Sequence, residues 1–515
     1  MKAGGVAVLA ALCMPLAVCA QPQPQPALET AAATITEADY LRRVGVIAHD
    51  SMQGRDTPSP GLDKTATWIA SEFRRMGLSG GAGDGGFIQR YPLRSVVVDR
   101  ARSNITGGGR TLEYGRDVVP LAAATGEGES RGGLVLISGS TNPGAALSGN
   151  AVRGRHAVFV LPSSSRGVDQ DIYRMLLSIR NAGAASVLVT SPASDAVWAA
   201  DAARALRPSV AQPGTPQAPA AGAFRPILEI RDASLGDLVR GRGVDVASLR
   251  NRGGREMRVD AVDGVTLTLT QRVSETDITA PNVVGLLPGS DPVLRNEYVI
   301  FSGHMDHVGI GTPDANGDSI FNGADDDASG TVAVVEIAEA MASLPTPPRR
   351  STLFLLVSGE EKGLWGSEYY ADHPTVPIQN VVADLNTDMV GRNWPDTIVA
   401  IGKEHSDLGQ TLERVNAAHP ELGMTAIDDL WPEESFYTRS DHFNFARKGV
   451  PILFFFNGTH EDYHGRDDEV DRINGEKAAR IARLVFYLGV EIADAQQRPQ
   501  WNPDSYAQIA TDRPR

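Results

Sequence analysis

Five short segments in the second half of this 515-residue chain gather histidines and carboxylates. The first is Ser302-Gly303-His304-Met305-Asp306-His307. A histidine two residues before an aspartate can ligate a metal while the carboxylate fixes its tautomer. Taken alone, the pattern also suits an ordinary loop. The second segment is Asn322-Gly323-Ala324-Asp325-Asp326-Asp327-Ala328-Ser329-Gly330. Three adjacent acids repel one another. A solvated loop or a helix N-terminus tolerates them, and a bound cation does so better, with one carboxylate free to bridge two ions. The third, Gly359-Glu360-Glu361-Lys362-Gly363, places two glutamates whose side chains diverge. One can ligate while the other faces substrate as a base, or both can simply cap a helix. Asp388 in Asn386-Thr387-Asp388-Met389 is the fourth, and reads equally as a turn residue. The fifth, Thr459-His460-Glu461-Asp462-Tyr463-His464, offers His460 or His464. Jointly these supply two histidines and three carboxylates, an inventory that fits two zinc ions sharing one carboxylate. Metal pairs about 3.5–4 Å apart serve phosphatases, nucleases and aminopeptidases, and donor chemistry does not choose among them.

The elements that must position these groups are legible as apolar runs ahead of each segment. Strands are expected over 283–287, 298–302, 352–358, 380–385 and 451–456. Near-continuous apolar strands are buried on both faces. Their alternation with helices predicts a doubly wound α/β fold with a mixed sheet, whose ligands bind beyond the strand ends. Val332, Val335, Ala338 and Ala342 give the helix after the acidic run its buried face. Helical patterns also occupy 36–78, interrupted by the loop Gly54-Arg55-Asp56-Thr57-Pro58-Ser59-Pro60-Gly61. Residues 122–261 differ: Ala- and Gly-rich, with short strands, one helix over 171–182 and no titratable cluster. They read as an inserted, non-catalytic, β-rich domain. Asp314-Ala315-Asn316-Gly317-Asp318 imitates the start of a calcium loop, but Ser319 stands where its sharp turn needs glycine.

Composition narrows the function. Apolar residues make up 42% and charged residues 22%, an ordinary globular balance that argues against a largely disordered chain. The net charge of −15 disfavours nucleic acid as a partner. Both cysteines, Cys13 and Cys19, fall within residues 1–20, which read as a signal peptide for export to the periplasm or beyond. Leu16-Ala17-Val18-Cys19 is a weak lipobox, so a lipid anchor at Cys19 is the lesser alternative. No other stretch has the apolar length of a membrane span. Residues 21–35 read as a Gln/Pro linker and 496–515 as a loosely docked tail.

With these segments in hand, the sequence resembles the secreted di-zinc aminopeptidases related to glutamate carboxypeptidase II, the transferrin receptor and glutaminyl cyclase. The likeness rests on His304-Met305-Asp306, Gly323 to Gly330, Gly359 to Ser367, Asp388-Met389 and His464, in the family's order. It assigns 36–121 and 262–495 to the peptidase domain and 122–261 to a protease-associated insert. By this resemblance Asp326 bridges two Zn2+ ions, His304 and Asp388 complete one site, and Glu361 and His464 complete the other. Asp306 braces His304, and Glu360 is the general base for a water held between the ions. A cis peptide joins Asp326 to Asp327, and Asp325 faces solvent or the loop. The implied substrates are peptides with a free N-terminus. A carboxypeptidase or dipeptidase is the near rival, with Arg439 and Arg466 close to the metal segments. A glutaminyl cyclase or a dead receptor module is disfavoured by the full ligand set. Tyr437 is expected to donate to the tetrahedral intermediate; Asp428, Asp429, Glu433 and Glu434 read as a solvated acidic loop, the alternative being that they draw the substrate ammonium. The oligomeric state is left open.

Overall fold

The computed structural model describes residues 25–512, apart from 122–125, 143–145, 148, 166 and 215–223. The expected signal peptide, Cys19 and the start of the Gln/Pro linker lie outside the described residues. The chain divides into two units, one made of the residues up to Tyr91 and from Thr279 onward, the other of Pro92–Ile278. The second unit is wider than the insert expected over 122–261. Its boundaries fall inside two long strands, Ile88–Val98 (β1) and Val273–Leu287 (β2), rather than in loops. Such a boundary leaves no mark in composition.

The site-bearing unit is built on a mixed sheet. Its further strands are Tyr298–His304 (β3), Ser351–Val357 (β4), Val381–Thr387 (β5), Thr397–Ile401 (β6), Thr425–Ile427 (β7) and Ile452–Phe455 (β8). The order is β7-β6-β8-β5-β3-β4-β2-β1. β3 runs parallel to β4 and β5, and β5 parallel to β8, whereas β2 is antiparallel to β4 and β6 to β8. All five expected strands are present. Alternate side chains fill two cores, as period-2 geometry requires. Val299, Phe301, Phe354, Leu356, Leu385 and Phe455 face one core, and Ile300, Leu353, Leu355, Val357 and Phe454 the other.

Helices cover both faces. Thr36 caps Glu37–Ile47 (α2), its oxygen accepting from the Asp39 amide. Ser59 caps Pro60–Arg75 (α3), with Pro60 at the first helical position. Gly330–Ser343 (α4) lies against β3, β4 and β5 and beneath Gly475–Asp494 (α8), which also touches α2. Trp365–Asp372 (α5), Leu408–Ala418 (α6) and His442–Arg447 (α7) complete the set, with α5 and α7 together and α7 on β5 and β8. Two segments are more ordered than their composition suggests. Gln25–Ala32 (α1) is helix, not linker, because Ala31 and Ala32 bury against the core. Likewise, Trp501 donates its indole N–H to the Gly449 carbonyl at 3.0 Å, and Pro503–Ile509 is helical, so the tail is docked. The second unit has its own sheet and cores, with helices at Gln170–Asn181 and Asp195–Ala205. Among the described residues no helix is long and apolar enough to cross a membrane.

A buried charge joins three helices. Arg43 on α2, 1% exposed, pairs with Glu336 on α4 at 2.5 Å, with Glu72 on α3 at 3.3 Å and with Glu339. Burial pushes the Glu336 carboxyl up to about 7, against the pull of Arg43. Removing the cation leaves that acid uncompensated. Arg43→Ala is expected to cost about 3–5 kcal/mol at pH 8. The cost should shrink at pH 6, where Glu336 enters the fold as a neutral acid because the folded state then binds the proton. Denaturant titration at both pH values checks this, and an equal loss at each would refute the electrostatic account.

Candidate metal centre

Register aligns the ends of the parallel strands. His304 lies abreast of Val357, Ser302 abreast of Asn386, and Thr387 abreast of Phe455. The five polar segments therefore emerge at one edge, since each follows one of these strands or leads into α4. Two donor groups result among the described residues: His304, Asp326 and Asp388, and His307, Asp326, Glu361 and His464. Asp326 belongs to both through different oxygens. Its Oδ1 is 3.5 Å from His304 Nε2, which is itself 3.6 Å from Asp388 Oδ1. Its Oδ2 is 3.1 Å from His464 Nε2 and 3.6 Å from His307 Nδ1. Glu361 closes the second group, at 3.1 Å from His464 and 3.0 Å from His307.

These donors fit a pair of divalent cations on chemical grounds. Buried polar groups are normally hydrogen-bonded. Yet Asp326 Oδ2, Asp388 Oδ1, Glu361 Oε1 and both ring nitrogens of His307 are buried without a hydrogen-bond partner. Orphaned atoms converging on two points are what ligands look like without their ion. The imidazoles respond to the same charge. Burial pulls the His464 pKa down, but Asp326 and Glu361 outweigh it and lift it to about 10. His304 is also raised, burial being overcome by Asp388 and Glu360. Protons on these rings thus stand in for the positive charge the acids demand.

Glu360 joins neither group. It lines a small open cleft together with His304, Asp326 and Asp388. Burial chiefly, with Asp441, Asp388 and Glu361 adding to it, holds its carboxyl well above the usual range. Phe436, Phe454, Phe456 and Met389 form an apolar wall of the cavity, and Arg439, Ser440, Thr459 and Tyr463 the rest. Ser440 donates to Asp388 Oδ2 at 3.0 Å.

The remaining acids are tied down by the fold. Asp327 accepts from the His304, Gly330 and Met389 amides at 3.1, 2.8 and 3.1 Å, joining β3, α4 and the end of β5. Asp468 accepts from the Asp325 and Asp326 amides. The peptide between Asp326 and Asp327 is cis. Asp306 accepts from Thr57 Oγ1 at 2.9 Å and from the Glu360 amide at 3.3 Å. Its carboxylate is 3.7 Å from His304 Nδ1, and that nitrogen lies 3.2 Å from the Asp306 main-chain oxygen instead. Arg55, fully buried, donates to the carbonyls of Ile47, Met305, Asn322, Gly323 and Asp326, binding the N-terminal segment to two ligand loops. Gly54 makes this approach possible. Its φ is +64°, and a Cβ there would lie 2.4 Å from the Gly309 oxygen.

Several expectations are corrected. Asp325 does not face solvent: it is fully buried, accepts from Ser329 and the Gly391 amide, and meets His460 at 3.3 Å. His460 therefore stands outside both donor groups. Tyr437 is set apart from the cavity, its ring edge-on to His405 and His442. The phenol that lines the cavity is Tyr463, stacked on His464. The acidic stretch is also elsewhere engaged, Asp428 with Lys403 at 2.7 Å and Glu434 with Arg439 at 3.5 Å. His307, Tyr463, Thr57 and Arg55 were not foreseen. His307 and Tyr463 adjoin ligand segments, but only distances through space single them out.

Residues 282–489 match the model of Peptidase family M28. Aminopeptidase YwaD of Bacillus subtilis (strain 168) is 25% identical over 236 residues, covering 44% of this chain and 47% of that protein. Leupeptin-inactivating enzyme 1 of Streptomyces exfoliatus is 28% identical over 214 residues, covering 40% and 44%. The chain spans about half the length of the curated relatives it matches. Among solved structures, an aminopeptidase from Aneurinibacillus sp. strain AM-1 superposes with a TM-score of 0.51 at 18% identity, over 92% of this chain and 98% of that one. A zinc aminopeptidase from Bacillus subtilis gives 0.51 at 17%, over 90% and 97%. At such identity the likeness is one of fold.

Arg55→Lys provides a test of the clamp. A single ammonium cannot satisfy five carbonyls spread across a guanidinium fork. With chelator present, to remove metal linkage, the variant is expected to lose about 2–4 kcal/mol from stranded buried carbonyls. Unfolding within about 0.5 kcal/mol of the parent, the range of an inert surface change, would contradict this.

Proposed function

We propose that the protein, whose residues 282–489 match the model of Peptidase family M28, is an exported metallo-exopeptidase, and specifically an aminopeptidase. One observation carries the reading: the two oxygens of Asp326 serve separate donor groups while Glu360 stands free in the adjoining cavity. His304, Asp326 and Asp388 would hold one zinc ion, and Asp326, Glu361 and His464 the other. When bound, such ions polarise a peptide carbonyl and lower the pKa of water toward about 7.

The chain's own groups supply the proton traffic and the fit. Glu360, buried and therefore a stronger base than an exposed carboxylate, takes a proton from the attacking water. It returns that proton to the nitrogen of the leaving peptide. The hydrogen bond its backbone N–H donates to Asp306, and the Thr57 hydroxyl that donates to Asp306 and accepts from the Gly359 amide, hold the turn that aims it. Tyr463 stays protonated, since burial and the neighbouring acids raise its pKa. Its phenol is the donor available to the oxygen of the scissile carbonyl. The wall of Phe436, Phe454, Phe456 and Met389 suits an apolar side chain at the cleaved residue. The Pro92–Ile278 unit is read as a protease-associated module.

Arg439 supports one second reading. It lines the cavity and is about half exposed, so it could clamp a substrate carboxylate as a carboxypeptidase or dipeptidase requires. Comparison of free and N-acetylated leucyl-arylamides separates the two. Cleavage confined to the free amine, lost on chelation and restored by zinc, is the expected result. Cleavage only of substrates with a free C-terminus would favour the rival. Glu360→Gln should keep two zinc ions per chain while turnover falls about 10²–10⁴-fold. Unchanged turnover would remove Glu360 as the base. N-terminal sequencing of the protein recovered outside the cytoplasm, expected to begin after Ala20, tests export.

A further inference from the structure

We infer that His307 is a sixth protein ligand of the metal pair, so that the two sites differ: four protein donors surround one ion and three the other. This rests on the two-zinc reading above. His307 is fully buried, and neither of its ring nitrogens makes a hydrogen bond. A sealed imidazole with an idle nitrogen is costly unless something else binds it, and a metal on Nδ1 would relieve that nitrogen.

Distances indicate what that is. His307 Nδ1 lies 3.0 Å from Glu361 Oε1 and 3.6 Å from Asp326 Oδ2. His464 Nε2 lies 3.1 Å from both of those carboxylates. Four donors at about 2.0–2.1 Å from a tetrahedral zinc are separated by roughly 3.3–3.4 Å. The observed spacings bracket that value. The alternative is that His307 merely orients Glu361 by hydrogen bonding. That contact, at 3.0 Å, is within hydrogen-bond reach, but a bond to Glu361 alone would not account for the simultaneous approach of His307 Nδ1 and His464 Nε2 to Asp326 Oδ2. The ring is also fixed in place. Its backbone amide donates to the Arg55 carbonyl, and Gly323 packs so closely that a Cβ there would lie 2.5 Å from the ring.

The opposite group has only His304, Asp326 and Asp388, and all three line the cavity, whereas His307, Glu361 and His464 do not. A zinc site closed by four protein donors is of the structural kind, while three donors leave a position open. The His307 side is therefore the tight, slowly exchanging site, and the Asp388 side the one open to substrate.

Cadmium-113 NMR on the full chain, labelled with 15N-histidine, tests this by which nitrogens couple to metal. Expected are three coupled histidines, two through Nε2 (His304 and His464) and one through Nδ1 (His307). The Nδ1 coupling identifies His307 without any variant, and His307→Ala should abolish it alone. Zinc competition with a chromogenic chelator should then show one site weakened about 10–100-fold and the other unchanged. Two coupled histidines, both through Nε2, would overturn the inference while leaving the two-metal reading intact. No cadmium uptake at all would overturn the two-metal reading and this inference together.

Discussion

The structure depends on crowding seven carboxylates, Asp306, Asp325, Asp326, Asp327, Glu361, Asp388 and Asp468, into a mostly buried volume at one edge of a sheet. Like charges out of water repel strongly unless each is given a partner. The fold sorts them. Asp327 and Asp468 are held by main-chain amides and Asp306 by Thr57 and the Glu360 amide, while Asp325 accepts an amide and the Ser329 hydroxyl on Oδ1 and turns Oδ2 to His460 at 3.3 Å. Those four are architecture. Asp326, Glu361 and Asp388 each keep a bare oxygen, and the bare oxygens face imidazoles across the two gaps. Convergence on two shared points, rather than a bare oxygen alone, thus separates the acids left to bind something from Asp325, whose Oδ2 meets only His460.

That sorting requires amides from distant parts of the chain to arrive together. Parallel strands deliver them, because their ends lie abreast. Thr387 and Gly330 meet through the threonine hydroxyl, and Thr331 donates to the His304 carbonyl at 2.6 Å. The segment before the inserted unit is not peripheral to this. Arg55 and Thr57 reach ligand loops about 250 residues later in the chain, and Tyr40 donates to the Ser329 carbonyl. Interrupting the site-bearing unit with Pro92–Ile278 therefore separates in sequence what must touch in space.

Left-handed residues cluster at the same edge. Arg55, Met389 and His464 all have positive φ without being glycine. Each such residue costs roughly 1–2 kcal/mol against an extended or helical backbone. The packing around them carries that strain, and in return turns side chains and amides inward at the strand ends.

The sequence by itself determined the strands, the doubly wound plan and the segments from which donors would come. Buried parallel strands need unbroken apolar runs, and the chain places its histidines and acids directly after them, so local pattern was sufficient there. Where one unit yields to the other left no local mark, because β1 and β2 pass the boundary as continuous strands. The tertiary structure alone buried Asp325, set His460 against it and exchanged Tyr437 for Tyr463 at the cavity. It also turned 25–32 into helix and brought His307 among the ligands. These outcomes follow from through-space approaches between residues far apart in the chain. The His307 ring meets that of His464 edge-on, and His464 Nε2 comes within 3.1 Å of Asp326. No periodicity or composition records such a distance; it exists only once the sheet has set its strand ends side by side.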